Sequence, residues 1–468
     1  MPSKSTGRHK RRNIAATVAA LVVAATVPAC SSGASAGAAK AASAGSKSFT
    51  YWSMWNQNEP QAAVIKEALA SYQAATGVTV TVEWHGRGVL DDIAAAAKAG
   101  KPVPDLSDGS VNTILGAGAE GVTVADLTGL YQQPVPGEDQ NLTDVVPDKY
   151  MPLMTDQNGA VVVVPYEVAS EAFFFDKNRY PQLSTSPPRT WDQFMDLLEQ
   201  IKDNGQAPLA LDATADNAAY WVEWMFEREL GPSQFKRTAE ERDATEVDGD
   251  SRWDDVRLLD GAQKLEALVK GGYFASGWNT EDTGDAGAHA MAQQNAWAAG
   301  RAALILGGTW VPSETKRTTD VDSFVFPAMP DQGGMPSDDS AGVNLFGFAV
   351  PKAAANADAA EKFILYFMAK SRLSKISTEA GNMTPRTDIP APPELTTVQT
   401  ALTNRTVFPD QDALMRDDSK WYTSVFEPDS VVFMIGKLTP KQFVGKLKSD
   451  SAAFWAQPGQ PTPSSPNM

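Results

Sequence analysis

Short apolar segments of strand character alternate with helical segments along this chain, and the alternation is the strongest constraint on its fold. The run FTYWSMW (49–55) is typical of a β-strand, and the segment after Pro60 places apolar residues at helical spacing until Gly77. VTVTVEW (78–84) then predicts a second strand, which completes a β-α-β unit. Strands that alternate with helices imply an α/β architecture with parallel sheets.

Two later segments sharpen this prediction. In TWDQFMDLLEQIKDNG, Thr190 is a helix cap, Gln193 completes a capping box, and Gly205 ends the helix. The segment GAVVVVPYEVASEAFFFDKNRY predicts two apolar strands broken by Pro165. We expect the chain to pass there from one lobe to another.

Length, charge and cysteine content limit the class of protein. About 420 residues follow position 48, which is too many for one hydrophobic core and predicts two lobes. The net charge of −17 argues against nucleic acid as a partner. The single cysteine excludes a disulfide within the chain, so stability must come from burial of apolar side chains.

The N-terminal segment is typical of an export signal. A basic stretch is followed by an apolar run, Ile14 to Val27, that is too short to span a bilayer. VPAC resembles a bacterial lipobox, which predicts a lipoprotein signal peptide at 1–29 and a lipid on Cys30. Residues 30–47 are rich in Ser, Gly and Ala and predict a flexible tether. We therefore expect export and lipid anchoring to the outer face of the cell membrane, by the general or the twin-arginine route.

The sequence offers little support for metal or nucleophilic chemistry. Outside the signal segment, His85 and His289 are the only histidines, and they lie far apart without cysteine partners. We predict no cofactor and no metal site, although DGDSRWDD (248–255) leaves a weak calcium option. A carboxylate pair suited to glycoside hydrolysis also stays open, because acidic residues are plentiful.

The order of the segments resembles the extracellular solute-binding proteins of bacterial carbohydrate ABC importers, the family that includes the maltose-binding protein. The matching segments are ALASYQAATGVTVTVEW, PDLSDGS, VVVVPYEVASEAFFFDKNRY, SPPRTWDQFMDLLEQIKDNGQAPLAL, AWAAGRAALILGGTWVP, AEKFILYFMA and AGNMTPRTD. The resemblance implies a two-lobe periplasmic-binding-protein-like fold with a ligand cleft between the lobes. We expect a first lobe at 48–170 plus 305–343, a second lobe at 171–304 plus 344–456, and a disordered tail at 457–468.

The resemblance also implies ligand-binding residues. Trp310 matches the family's stacking tryptophan and follows Gly308, whose missing side chain lets the backbone approach a ligand. Trp221 and Trp224 lie on one helical face, so we expect one of them in the core and the other at the cleft. The remaining candidates are polar or aromatic residues at segment ends: Glu59, Trp84, Arg87, Asp108, Tyr166, Glu171 and Arg386, with Glu167 as an alternative to Glu171. EWHGRG, which holds Trp84 and Arg87, departs from the family pattern.

These observations lead to a functional hypothesis. Twelve tryptophans in an acidic, exported chain suit the stacking of aromatic rings on sugar faces. We expect a monomeric receptor, not an enzyme, that binds a di- or oligosaccharide and delivers it to an ABC permease. An exported glycoside hydrolase and a binding protein for a peptide or polyamine are the alternatives.

Overall fold

The computed structural model describes most of the chain beyond the predicted tether. The described residues are 47–117, 122–213, 215–231, 234–241, 251–279, 286–317, 320–329, 340–409 and 413–458. Cys30, the predicted signal peptide and residues 30–46 of the tether lie outside them, as do 459–468 of the tail and 248–250 of the calcium option. No helix of the described residues is long and apolar enough to cross a membrane.

Strands and helices alternate as the sequence predicts. The strands are β1 (Ser48–Ser53), β2 (Thr79–Trp84), β3 (Leu106–Ser110), β4 (Val164–Ala169), β5 (Glu171–Asp176), β6 (Ala207–Ala210), β7 (Ala302–Gly308), β8 (Val321–Phe324), β9 (Ser340–Ala349) and β10 (Thr406–Pro409). The helices are α1 (Pro60–Thr76), α2 (Val89–Lys98), α3 (Val111–Gly116), α4 (Leu142–Val145), α5 (Trp191–Asp203), α6 (Ala215–Leu230), α7 (Gln234–Ala239), α8 (Val256–Gly271), α9 (Ala286–Ala298), α10 (Val311–Glu314), α11 (Ala357–Phe367), α12 (Lys370–Thr378), α13 (Thr396–Asn404), α14 (Leu414–Asp417), α15 (Ser419–Trp421), α16 (Glu427–Met434) and α17 (Pro440–Trp455).

Local sequence chemistry explains the best-predicted elements. Helix α1 begins at Pro60 and ends at Gly77, whose left-handed φ of 71° only glycine adopts without strain. Helix α5 begins as predicted, with the Thr190 hydroxyl accepting from the Gln193 amide. The predicted capping box is only half formed, because the Gln193 side chain accepts from the Arg189 amide at 2.8 Å.

The strands form two mixed sheets. The first has the order β10-β9-β3-β1-β2, with β4 also paired to β9, and the second has the order β6-β7-β5-β8. Pairs β1–β2, β1–β3 and β6–β7 are parallel, but β9 runs antiparallel to β3 and β4, and β5 antiparallel to β7 and β8. The α/β architecture is confirmed, but the expectation of parallel sheets holds only for some of the strand pairs, because both sheets are mixed. Strand β5 enters the second sheet directly from β4 of the first sheet, with no crossover helix between them.

The passage between the two sheets is very short. Strand β4 belongs to the first sheet and β5 to the second, and Ser170 alone separates them. The break between the strands is thus at Ser170 and not at Pro165, which lies at a shift of register within β4. Ser170 is held on both sides, because its hydroxyl donates to the Gly342 carbonyl at 2.7 Å and its carbonyl accepts from the Thr309 amide at 3.0 Å.

Helices pack around each sheet and bury its apolar side chains. Helices α11 and α12 pack on α1 beside the first sheet, while α16 and α17 pack on α6 and α8 beside the second. The lobe boundaries remain a prediction. After residue 304, however, the strand pairing favours a different division of the chain between the two lobes. It groups β7 and β8 with the second sheet and β9 with the first.

Candidate functional site

Strand β9 presents one partly exposed face where the two sheets meet. Asn344 and Phe346 are partly exposed, whereas Val343 and Leu345 between them are buried. Successive side chains of a strand point to opposite faces, so Gly342, Asn344 and Phe346 share one face. Neither Asn344 nor Phe346 was predicted from the sequence, although a polar residue inside the apolar run VNLFGFAVP was a usable signal.

An aromatic and charged cluster from the first sheet lies beside this face. Arg87 donates to both carboxylate oxygens of Glu59, at 2.9 and 3.1 Å, and to the Met54 carbonyl at 2.8 Å. Its guanidinium lies 4.6 Å from the ring centroid of Trp55, which packs against Phe346 at 5.9 Å. The structure thus brings together two predicted residues, Glu59 and Arg87, on a platform, Trp55, that was not predicted.

Asp108 is buried beneath this cluster and is fully occupied by the protein. Its carboxylate accepts from the hydroxyls of Tyr51 at 2.6 Å and Tyr166 at 2.7 Å, from Ser53 at 3.3 Å, and from the Met54 amide at 2.6 Å. Burial raises the pKa of Asp108, and these hydrogen bonds oppose that shift. The arrangement orients the loop that follows β1 and leaves Asp108 no exposed surface.

Tyr166 links the same network to strand β4, which ends just before Ser170. Besides donating to Asp108, its hydroxyl accepts a 2.7 Å hydrogen bond from the Trp55 indole nitrogen. Burial raises the pKa of Tyr166 well above its usual value, and the Asp108 charge adds to this. Tyr166 and Asp108 were predicted as ligand contacts. In the structure both are buried, and they hold the Trp55 ring in place through hydrogen bonds.

Glu167, the predicted alternative, joins three parts of the chain at the hinge. Its carboxylate accepts from Gln61 of α1 at 3.1 and 3.3 Å and from the Asn382 amide at 2.7 Å. Burial raises the pKa of Glu167 to about 7, against the hydrogen bonds and the nearby charge of Arg87. A buried carboxyl that titrates near neutrality is typical of functional sites as well as of structural networks.

Trp310 lies just after strand β7 of the second sheet. It is partly exposed and lies directly over Gly308, where a Cβ would meet the indole ring at 2.2 Å. Gly308 pairs in register with Glu171, which is buried. The absence of a side chain at Gly308 therefore lets the Trp310 ring lie against the strand, close to the hinge crossing.

Glu314 follows Trp310 by one helical turn and was not predicted from the sequence. Its amide donates to the Trp310 carbonyl at 3.0 Å, and its carboxylate accepts from the buried Gln294 amide at 3.1 Å. The residue is exposed, yet desolvation raises the pKa of its carboxyl group. The charges of Arg87 and Glu59 also act on Glu314: Arg87 lowers its pKa and Glu59 raises it.

Trp221 and Trp224 are both buried in the core of the second sheet, at 2% and 1% exposure. Trp221 packs on Phe173 and Phe274, while Trp224 packs on Phe326 and approaches Gly342 of β9. The Trp224 indole nitrogen has no hydrogen-bond partner among the described residues. Both rings therefore lie in the core, and neither has the exposed face that was expected of a cleft residue.

Arg386 and Trp84 make their contacts with residues outside the Trp310 and Arg87–Glu59 clusters. Arg386 is buried and donates to Glu138 at 2.8 Å, to both oxygens of Asp388 at 2.9 Å, and to the Met368 carbonyl. It lies at the wall of a separate depression of about 210 Å³, smaller than the roughly 300 to 1,000 Å³ of typical ligand pockets. The Trp84 ring is covered by the Lys66 ammonium at 5.0 Å.

The site offers hydrogen-bond acceptors, one exposed guanidinium and aromatic faces. Within the described part of the chain, no group of three His, Cys, Asp or Glu side chains is arranged to hold a metal ion. The arrangement suits a polar ligand with flat apolar faces, which aromatic rings can cover while carboxylates and amides bind its edges.

A family model for bacterial extracellular solute-binding proteins matches residues 55–370. An uncharacterized ABC transporter extracellular-binding protein of Pyrococcus horikoshii is 25% identical over 191 residues. That alignment covers 39% of this chain and 41% of the relative, so the match spans less than half of the relative's length.

Solved structures share the fold over most of the chain. The bacterial solute receptor AcbH, described as preferring β-D-galactopyranose, superposes with a TM-score of 0.69 at 18% identity and covers 87% of this chain and 98% of its own. A chitin oligosaccharide binding protein gives 0.65 at 21% identity, with 88% and 100% coverage. The raffinose complex of RafE gives 0.66 at 15% identity, with 87% and 100% coverage. These likenesses establish the two-lobe fold with a cleft between the lobes.

Proposed function

Because this chain belongs to the family of bacterial extracellular solute-binding proteins, we propose that it is the ligand-binding component of an ABC sugar importer. It binds a di- or oligosaccharide in the cleft between its two lobes and delivers it to the membrane permease. The sugar-binding proteins among the structural neighbours support the substrate class.

The observation that carries the proposal is the partly exposed Trp310 ring, which lies over Gly308 of the second sheet. The Arg87–Glu59 pair, which packs beside the first sheet, is near enough for its charges to act on Glu314, one helical turn after Trp310. Stacking on Trp310 covers a C–H face of the sugar, while Glu59 and Arg87 bind its hydroxyls. Closure around the hinge at Ser170 brings these partial sites together.

Lipid attachment at Cys30 keeps the receptor at the outer face of the membrane. The signal segment and lipobox support this part of the proposal. Substitution Cys30→Ser is expected to release the protein into the medium with unchanged sugar affinity. A Cys30→Ser protein that stays with the membrane fraction would contradict the anchor.

A thermal-shift screen followed by titration calorimetry tests the proposed function. The panel holds mono- to tetrasaccharides, peptides and polyamines, with release of reducing sugar measured in parallel. We expect a saccharide to raise the melting temperature without being hydrolysed. Stabilisation by peptides or polyamines alone, or hydrolysis of the bound saccharide, would contradict the proposal and favour one of the alternative functions.

A further inference from the structure

The side chains of Gln294 and Glu314 meet one helical turn after Trp310 and offer two hydrogen-bond acceptors. Gln294 is 5% exposed, and its amide nitrogen donates to Glu314. The oxygen of the same amide is buried and has no hydrogen-bond partner among the described residues. An orphaned buried acceptor costs free energy, so the site calls for a donor that the described part of the chain does not supply.

Glu314 is held on the same face of the chain as the aromatic ring. Residues one helical turn apart are neighbours, and the Glu314 amide bonds to the Trp310 carbonyl at 3.0 Å. A sugar ring stacked on Trp310 would therefore present its edge substituents to Glu314 and Gln294. A hydroxyl brings one donor to this place, whereas a protonated amine brings three donors and a positive charge.

The charge balance around Glu314 favours the amine. Arg87 is the cation that acts on Glu314, but it already forms a two-pronged pair with Glu59 of its own lobe. Glu314 is exposed in this structure, although partial desolvation already raises its pKa. A carboxylate enclosed further on lobe closure is stabilised most by a cation that enters with the ligand.

We propose that Glu314 and Gln294 form an ammonium-binding subsite beside Trp310, and that the ligand is an amino sugar with an unacetylated amine. The inference rests on the proposed function, because it needs a sugar ring stacked on Trp310. Aromatic rings add to the preference, since a cation near an indole face is attracted to it.

The test compares sugars that differ in one substituent. Glucose, glucosamine and N-acetylglucosamine, as monomers and β-1,4-linked dimers, and galactose with galactosamine are titrated calorimetrically. We expect the best amine-bearing member to bind at least about tenfold more tightly than its hydroxyl and acetamido counterparts, the scale of one charge-assisted hydrogen bond. Glu314→Gln should remove this difference, and the exposed Asp196→Asn should retain it.

The outcomes separate the inference from the proposed function. If a neutral sugar binds as tightly as its amine counterpart, the ammonium subsite is wrong while the sugar receptor stands. The subsite is equally wrong if Glu314→Gln weakens the binding of amine and hydroxyl forms to the same extent. If none of these saccharides and none of the wider panel binds, the proposed function itself fails.

Discussion

The hydroxyl of Tyr166 in strand β4 donates to the Asp108 carboxylate at 2.7 Å and accepts from the Trp55 indole at 2.7 Å. One hydroxyl thus ties strand β4 to strand β3 and to the loop that carries the cleft cluster. Because all three groups are buried, loss of that hydroxyl would leave a donor and a charged acceptor short of a partner.

Tyr166→Phe should therefore destabilise the protein by about 1 to 3 kcal/mol. Urea unfolding monitored by circular dichroism measures the change. The matched control is Tyr366→Phe. The Tyr366 hydroxyl forms a solvent-exposed hydrogen bond of 3.0 Å with Ser71, so its removal should change the stability little. Equal stabilities of the two variants would show that the buried network contributes nothing.

Trp310→Ala should weaken sugar binding at least about thirtyfold, or about 2 kcal/mol, with little loss of stability. The ring is partly exposed, so its removal leaves the core of the second sheet intact. Trp278→Ala is the control, because Trp278 is also partly exposed and packs on another aromatic ring, Phe274. If titration calorimetry gives a near-normal affinity for Trp310→Ala, Trp310 does not stack on the ligand.

Gly308→Ala should impair binding almost as strongly as removal of the tryptophan. A Cβ at this position would lie 2.2 Å from the Trp310 ring, so the ring must swing away from its place over the strand. Gly129→Ala, whose Cβ would meet no atom within 4 Å, provides the control. Full affinity in Gly308→Ala would mean that the ring orientation is irrelevant to the ligand.

Glu167 should make stability fall as pH rises between about 5 and 8. Its folded pKa of about 7 lies above the ordinary 4.5, so the folded state binds the proton more tightly than the unfolded state. Ionisation at higher pH therefore costs free energy, up to about 3 kcal/mol for this shift.

The variant Glu167→Gln removes this titration. Its stability relative to the wild type should improve by about 2 to 3 kcal/mol from pH 5 to pH 8 in urea unfolding. The exposed Asp196→Asn should show no such pH-dependent difference. A parallel shift of wild type and Glu167→Gln with pH would contradict the assignment.

Arg386→Met should lower stability and leave sugar affinity unchanged. The guanidinium is 1% exposed, but its partners Glu138 and Asp388 keep 17% and 45% exposure, so they recover water when the arginine is lost. We therefore expect a cost of about 2 to 3 kcal/mol, below that of a fully buried pair. Exposed Arg301→Met is the control, and a large loss of affinity in Arg386→Met would restore Arg386 as a ligand contact.

The elements that the sequence predicted well are those with local signals. Pro60 and Gly77 bound α1, and Thr190 caps α5, because each terminus is decided by the backbone chemistry of one residue. The direction of β9 has no local signal. It depends on which sheet the chain arrives from, so the expectation of parallel sheets was wrong for this strand and for β5.

Predictions for the site divide in the same way. Trp310 could be singled out because glycines precede it and proline follows it, and Glu59 and Arg87 come together as an ion pair. The sequence does not show whether a given carboxylate faces a cleft or is buried. Asp108 is buried because it binds Tyr51 and Tyr166, which lie more than 50 residues away in the chain. Glu314 and Gln294 were missed because helical residues of either kind are usually exposed and solvated.

Strand β9 also dictates the order in which this protein can be assembled. It pairs with β3, β4 and β10 in the first sheet, yet residues 340–349 follow β3 by more than two hundred residues. A chain that leaves its translocation channel N-terminus first therefore exposes the edge of β3 until the strands of the second sheet have emerged. The first sheet is therefore completed after the strands of the second sheet, and an N-terminal fragment that ends before residue 340 lacks the strand that joins β3, β4 and β10.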